Sequence, residues 1–100
     1  MDLVEVFKAL ANCRRLEILQ LLKSPEKYFS TDNNEIKNGG ICIKLVEQHI
    51  GLSQSTVSHY INILYKAKLV ELERFGQWTY CRINCTTLRL LSQEITKLFG

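Results

Sequence analysis

Residues 51–70 read GLSQSTVSHYINILYKAKLV, and this stretch has two unlike faces. Val57, Ile61 and Leu64 recur at i, i+4 and i+7, the spacing of a helical stripe that packs into a core. The first turn, Ser53, Gln54, Ser55 and Thr56, is rich in hydroxyls that add little to a helix interior, although Ser53 makes a good N-cap. The outward side then presents Ser55, Ser58, His59, Asn62 and Lys66, with Gln54 at its N-terminal end. A merely solvated helix usually draws on Glu and Lys, yet no acidic residue occurs between Ser53 and Leu64. Amide side chains pair bidentately with adenine in the major groove, and small hydroxyls let a helix come close to base edges and phosphates. The polar face therefore reads as a surface shaped for DNA.

The flanking sequence supplies a frame for that helix. Ile41 to Ile50 has the pattern of a short helix with Leu45, Val46 and Ile50 inward, and Gly51 stops it where a positive φ is cheap only for glycine. Two helices joined by such a turn make a helix-turn-helix over residues 41–67, wedged together by Val46, Ile50, Leu52, Val57 and Ile61. After Leu69 the period changes to two. Val70, Leu72 and Arg74 alternate with Glu71, Glu73 and Phe75, Gly76-Gln77 turns the chain, and WTYCRI returns with Cys81 and Ile83 on one face. This is a β-hairpin wing over residues 69–83, with Arg74 and Gln77 at or near its tip.

Upstream, Leu3, Phe7 and Leu10 predict a first helix, and Leu16, Ile18, Leu19 and Leu22 a second that runs from Asn12 to Lys23. Ser24-Pro25-Glu26 breaks the pattern, and STDNNEIKNGG (residues 30–40) is dominated by turn formers. Residues 24–40 thus read as an extended loop, longer than usual between helices and carrying one net negative charge (Lys27 and Lys37 against Glu26, Asp32 and Glu35). Thr86 to Phe99 forms a last helix with Leu88, Leu91, Ile95 and Leu98 on one side. The expected fold is mainly α with a β-hairpin wing: a winged helix-turn-helix of about five helices and one two-stranded antiparallel sheet, in one domain over residues 1–100.

The bulk properties agree. At 100 residues, 46% hydrophobic and 23% charged, the chain suits one soluble globular domain. A net charge of +3 permits nucleic-acid binding without demanding it. No basic segment precedes an apolar run, and no apolar stretch approaches the roughly 20 residues of a membrane span, so the expectation is a cytoplasmic protein with no membrane partner. Catalysis finds no support: there is no glycine-rich phosphate loop after a strand, no paired histidines on a helix and no nucleophile elbow.

The blocks FKALANCRRLEILQLL, GLSQSTVSHYINILYKAKLV and GQWTYCRIN, with the closing helix, resemble the ArsR/SmtB repressors of bacteria. That resemblance covers most of the chain. It implies a homodimer whose terminal helices form the interface, double-stranded operator DNA as partner, and repression relieved by an effector. Two departures stand out: residues 24–40 are expanded, and Glu47 occupies a position usually held by a small residue.

The four cysteines bear on the effector. Cys42 matches the first position of the C-x-C pair found in the family's thiol-metal sensors, but the second position is Lys44. The acidic residue and histidine used by its zinc sensors correspond to Cys85 and Thr87. Neither of those sites is complete here. Thiolates still suit soft ions such as As(III), Cd(II) or Cu(I). The candidate metal or redox residues are Cys42 with Cys13 or Cys85, including across subunits. Cys13, followed by Arg14 and Arg15, and Cys85 both open helices, where a thiol pKa falls. Cys81 is expected to pack beside Ile83, and the alternative for all four is that they are small buried hydrophobes. A thiol-bound metal or metalloid, thiol oxidation and no cofactor at all remain open. The rival reading from another class is a winged helix used for protein–protein contact, with the acidic loop as its docking surface.

Overall fold

The computed structural model describes residues 1–100. Its helices begin where capping side chains stand. Asp2 accepts the Glu5 N–H at 3.2 Å and opens α1 (Leu3–Leu10); Asn12 accepts the Arg14 and Arg15 N–H groups at 2.9 and 3.0 Å and opens α2 (Cys13–Lys23). Arg15 then reaches back to satisfy the end of α1, donating to the carbonyls of Ala9 (2.7 Å) and Lys8 (3.0 Å). The last carbonyls of a helix have no full set of partners within it, and the Lys8 carbonyl otherwise has only the Ala11 N–H at 3.3 Å. A single 3₁₀ turn (Pro25–Lys27) follows, with proline at its first position.

The segment read as an extended loop departs from expectation. Within it lie β1 (Ile36–Lys37) and the start of β2 (Gly40–Cys42), antiparallel and joined by Asn38-Gly39. Both turn residues have positive φ, 52° and 75°, as a tight two-residue hairpin turn requires. The sheet accordingly has four strands in the order β1-β2-β4-β3, not two. Ile41 and Cys42 belong to β2, so α3 (Ile43–Ile50) starts two residues later than its apolar pattern suggested. The physical reason is pairing: Ile41 lies opposite Cys81 and Cys42 opposite Tyr80 on β4.

Gly51 ends α3 at φ 76°, its N–H returning to the Glu47 carbonyl at 3.0 Å. The next helix is α4 (Gln54–Lys66), and the wing is β3 (Val70–Phe75) with β4 (Trp78–Ile83), followed by α5 (Cys85–Phe99) capped by Asn84. The core is a cluster of 15 buried side chains to which every helix and the inner face of the sheet contribute. Val57, Ile61 and Leu64 of α4 sit at its centre, against Val6, Ile18, Leu21, Val46, Leu69 and Val70 among others.

The terminal helices turn differently from expectation. In α1 the buried residues are Val6 and Ala9, whereas Phe7 is 38% exposed. In α2 Leu21 enters the core and Leu16 stays exposed; in α5 only Leu91 of the expected stripe is buried, beside Thr87, while Leu88 and Leu98 remain exposed. Both α1 and α5 carry more apolar positions than one core can take, and the sheet and α4 fill it first.

The fold predicts two distinct costs in urea unfolding. Leu64→Ala, which opens a void among fully buried neighbours, should lose about 2–5 kcal/mol. Gly39→Ala, where an added Cβ meets no atom within 4 Å, should lose only the conformational cost of a left-handed residue, about 1–2 kcal/mol. Equal losses would contradict the assignment of the Asn38-Gly39 turn.

Candidate nucleic-acid interface

Helix α4 lies between core and solvent as its two faces demand. Its inner stripe is fully buried, and Gln54, Ser55, Ser58, His59, Asn62 and Lys66 are all exposed on the other side. Two hydroxyls have local duties. Ser53 caps the helix by accepting the Thr56 N–H at 3.2 Å, and its Oγ also hydrogen-bonds the half-buried Thr56 hydroxyl at 2.8 Å. They hold the first turn, with the Ser55 hydroxyl 3.4 Å from Ser53 Oγ, while Ser58, His59, Asn62 and Lys66 face outward without hydrogen-bond partners. Tyr65, 49% exposed on this helix, was not picked out from the sequence.

The wing tip comes round to the start of this helix. Gln77, Trp78 and Thr79 of the wing, Gln54 and Ser58 of α4, and Lys44 with Glu47 of α3 line one open groove of about 370 Å³. Gln54, Ser58 and Gln77, widely separated in sequence, thereby share a surface. His59, Asn62 and Lys66 continue along the helix. Arg74 bends over the wing turn, its Nε donating to the Gly76 carbonyl at 3.1 Å, which leaves the guanidinium on the exposed tip. Lys44 and Trp78 are additions to the sequence-derived set. Lys44 sits in the first turn of α3, a position that the helix-turn-helix reading could have singled out; for Trp78 only its place beside the wing turn was available.

The electrostatics of the surface are mixed. The helix contributes Lys66 and no acid, the tip contributes Arg74, and α3 contributes Lys44. Glu47 is the one carboxylate lining the groove, and it forms no ion pair. Such a surface can hydrogen-bond base edges through amides and hydroxyls and neutralise phosphates at its margins.

The cysteines are dispersed. Cys13 and Cys85 are exposed at the first positions of α2 and α5, Cys42 is buried at the N-cap of α3, and Cys81 is completely enclosed in β4. Burial pushes the Cys81 thiol up to about 12. No three His, Cys, Asp or Glu side chains gather as a metal site within the chain, so Cys42, Cys13 and Cys85 do not form one. His49 is exposed and packs edge-on against Tyr28, ring centroids 4.9 Å apart. No helix is long and apolar enough to cross a membrane.

Comparisons with known proteins bear on the surface as a whole. Residues 42–71, from the N-cap of α3 to the start of the wing, match the model of the bacterial regulatory proteins of the arsR family. The chain is 41% identical to the HTH-type transcriptional regulator YbzH of Bacillus subtilis over 80% of its own length and 81% of that protein's. It is 31% identical to the arsenical resistance operon repressor of the same organism, over 93% and 77% of the two chains. Among solved structures it is similar to the homodimeric winged helix-turn-helix DNA-binding domain of a possible ArsR-family transcriptional regulator from Mycobacterium bovis. There the identity is 29% and the TM-score 0.66, covering 95% of this chain and 76% of that one. The chain belongs to the ArsR family of bacterial transcriptional regulators.

Proposed function

We propose that the chain is a homodimeric, sequence-specific DNA-binding repressor that reads its operator with the outer face of α4 and steadies it with the wing. The observation that carries this reading is the exposed, acid-free face of α4, held rigid from behind by buried Val57, Ile61 and Leu64 and set beside the wing tip. Gln54, Ser55, Ser58, His59 and Asn62 are the base-reading candidates, with Ser53 and Thr56 shaping the first turn. Lys66, Arg74 and Gln77 are the backbone contacts, joined by Lys44.

The homodimer part rests on apolar surface. Val4, Phe7, Leu88, Leu90, Leu98 and Phe99 are all more than a third exposed and belong to the two terminal helices. A second copy is the simplest cover for faces contributed by the same pair of helices. Two reading helices related by a two-fold axis call for an imperfect palindrome with half-site centres about 10 base pairs apart or a multiple of that.

Release from the operator is read through the accessible thiols. Cys13 and Cys85 open helices and are exposed, so they are the groups an oxidant or soft metalloid would meet first. Any metal site would have to borrow ligands from the second subunit.

Five outcomes test this. In fluorescence anisotropy on duplexes selected for binding, Gln54→Ala or Asn62→Ala should cost about 1–3 kcal/mol on the selected sequence and little on a scrambled one. Lys66→Ala should weaken both and flatten the salt dependence. Glu47→Gln should tighten both, because it removes a carboxylate from a surface facing phosphates. Unchanged affinity in all of these, or no salt-dependent duplex binding by wild type, would favour the protein-contact reading instead. Sedimentation should give twice the chain mass at micromolar concentration, and Leu88→Glu should shift it towards one chain; a wild-type monomer would refute the assembly. Iodoacetamide at pH 8 should label Cys13 and Cys85 in the folded protein and spare Cys81, whose thiol stays protonated there; rapid labelling of Cys81 would contradict the structure.

A further inference from the structure

The hairpin β1–β2 extends the wing sheet beyond β4, and the loop before it, with the Lys37 and Asn38 side chains, reaches across the outer face of that sheet. Strand register places Lys37, Gly40, Cys42, Tyr80, Glu73 and Phe75 on that face. Ordinarily it would be open to water, yet Tyr80 is only 2% exposed. Its hydroxyl donates to the Asn34 carbonyl at 2.6 Å, which holds the loop down, and Asn38 donates to Glu73 at 3.0 Å from the hairpin turn. Between this loop, the first two turns of α3 and strand β4, the chain leaves an open pocket of about 430 Å³. That volume lies in the range of small-molecule sites.

Its lining has a definite chemistry. Trp78, 44% exposed, and half-buried Leu45 make its apolar wall, with Tyr80 buried behind them. Lys37 and Lys44 converge on it from the hairpin and from α3, and neither belongs to any of the four ion pairs of the chain. The one carboxylate in the lining, Glu35, turns back into its own loop, where Oε1 accepts the Ser30 N–H at 2.7 Å. Lys37 lies 5.0 Å from the Phe75 ring centroid and 6.0 Å from that of Tyr80, a cation over aromatic faces with no anion to meet it. Asn33 and Gln48 add amides at the rim.

We propose that this pocket binds a small aromatic carboxylate, its ring against Trp78 and Leu45 and its anionic group between Lys37 and Lys44. An aliphatic anion would leave the exposed Trp78 face uncovered, and a neutral aromatic would leave both lysines without a counter-ion. Lys44 and Trp78 also line the groove between α3, α4 and the wing tip. On the DNA-binding reading above, on which this one step rests, a bound carboxylate would draw on the cation that the groove offers to phosphate.

The test needs no DNA, so its failure is separate from failure of that reading. Trp78 is the only tryptophan, and its indole N–H is a single reporter at the cavity. In heteronuclear NMR of the whole ¹⁵N-labelled chain, benzoate and 4-hydroxybenzoate should shift that resonance and the Leu45 and Asn33 amides saturably. Benzyl alcohol and acetate should bind at least about fivefold more weakly. Lys44→Gln, at an exposed helical position, and Lys37→Gln should each lower benzoate affinity by about threefold or more, with spectra otherwise native. Saturable binding with that order of preference and that dependence on both lysines supports the site. It is overturned if neither benzoate shifts the cavity resonances, if benzyl alcohol binds as well as benzoate, or if both lysine variants bind benzoate as wild type does.

Discussion

The structure depends on one constraint: helix α4 must be gripped on a single side. Val57, Ile61 and Leu64 have essentially no exposed surface, and their neighbours come from α1, α2, α3 and β3. Because the grip is complete on that side, the other can do without interactions inside the chain. Ser, Asn and His are mediocre helix formers, and a helix this rich in them would be marginal alone. Burial of its inner stripe supplies the stability that its outer sequence forgoes. Arg15 strengthens the arrangement, for its guanidinium ties off the end of α1 and lies 5.4 Å from the ring of Tyr60 on α4.

The same economy explains the wing. A two-stranded hairpin alone is at best marginally stable in water. Here β4 is flanked on both sides, by β3 and by β2, and its Cys81 is sealed in the core. The outer face gains a polar net: Arg82 donates to Glu73 at 2.8 Å and lies 3.3 Å from Glu71, while Asn38 adds the cross-link from the hairpin turn. The Asn38 and Arg82 hydrogen bonds hold the Glu73 carboxyl below its ordinary value. That contribution is present above the carboxylate range and fades as pH falls through the lowered value. The net is exposed, so its effect is on the placement of the hairpin over the wing more than on overall stability.

What could be read from the sequence follows the same division. The two faces of α4, the Gly51 turn and the period-two wing were legible because each is a local pattern over several residues. The outer hairpin was not read, although Asn38-Gly39 between Ile36 and Ile41 is a strong turn signal. Its strands are two and three residues long, too short to show alternation, and β2 gains its strand character from β4, some forty residues away. The two-residue error at the start of α3 has the same origin. At the candidate interface the exposed residues of α4 were legible, whereas Lys44, Glu47 and Trp78 join them only through the approach of α3 and the wing tip.

The terminal helices show where periodicity loses its power. LVEVFKAL contains two helical stripes, Leu3-Phe7-Leu10 and Val6 with Ala9, and spacing alone cannot say which one faces the core. The structure gives the core the smaller pair, Val6 and Ala9, which fit against α2 and α4 where large side chains would not. Of the bulkier stripe Leu3 and Leu10 pack half-buried against the core's edge, and Phe7 goes outward with Leu88 and Leu98 of α5. A chain that exposes Phe7, Leu88, Leu98 and Phe99 on the two helices at its ends, and an acid-free polar face on the helix between, has on the proposed reading one surface for association and another for recognition. On the proposed dimeric reading each copy brings one reading face, and the distance between two such faces is set by how α1 and α5 meet their counterparts, not by anything within α4.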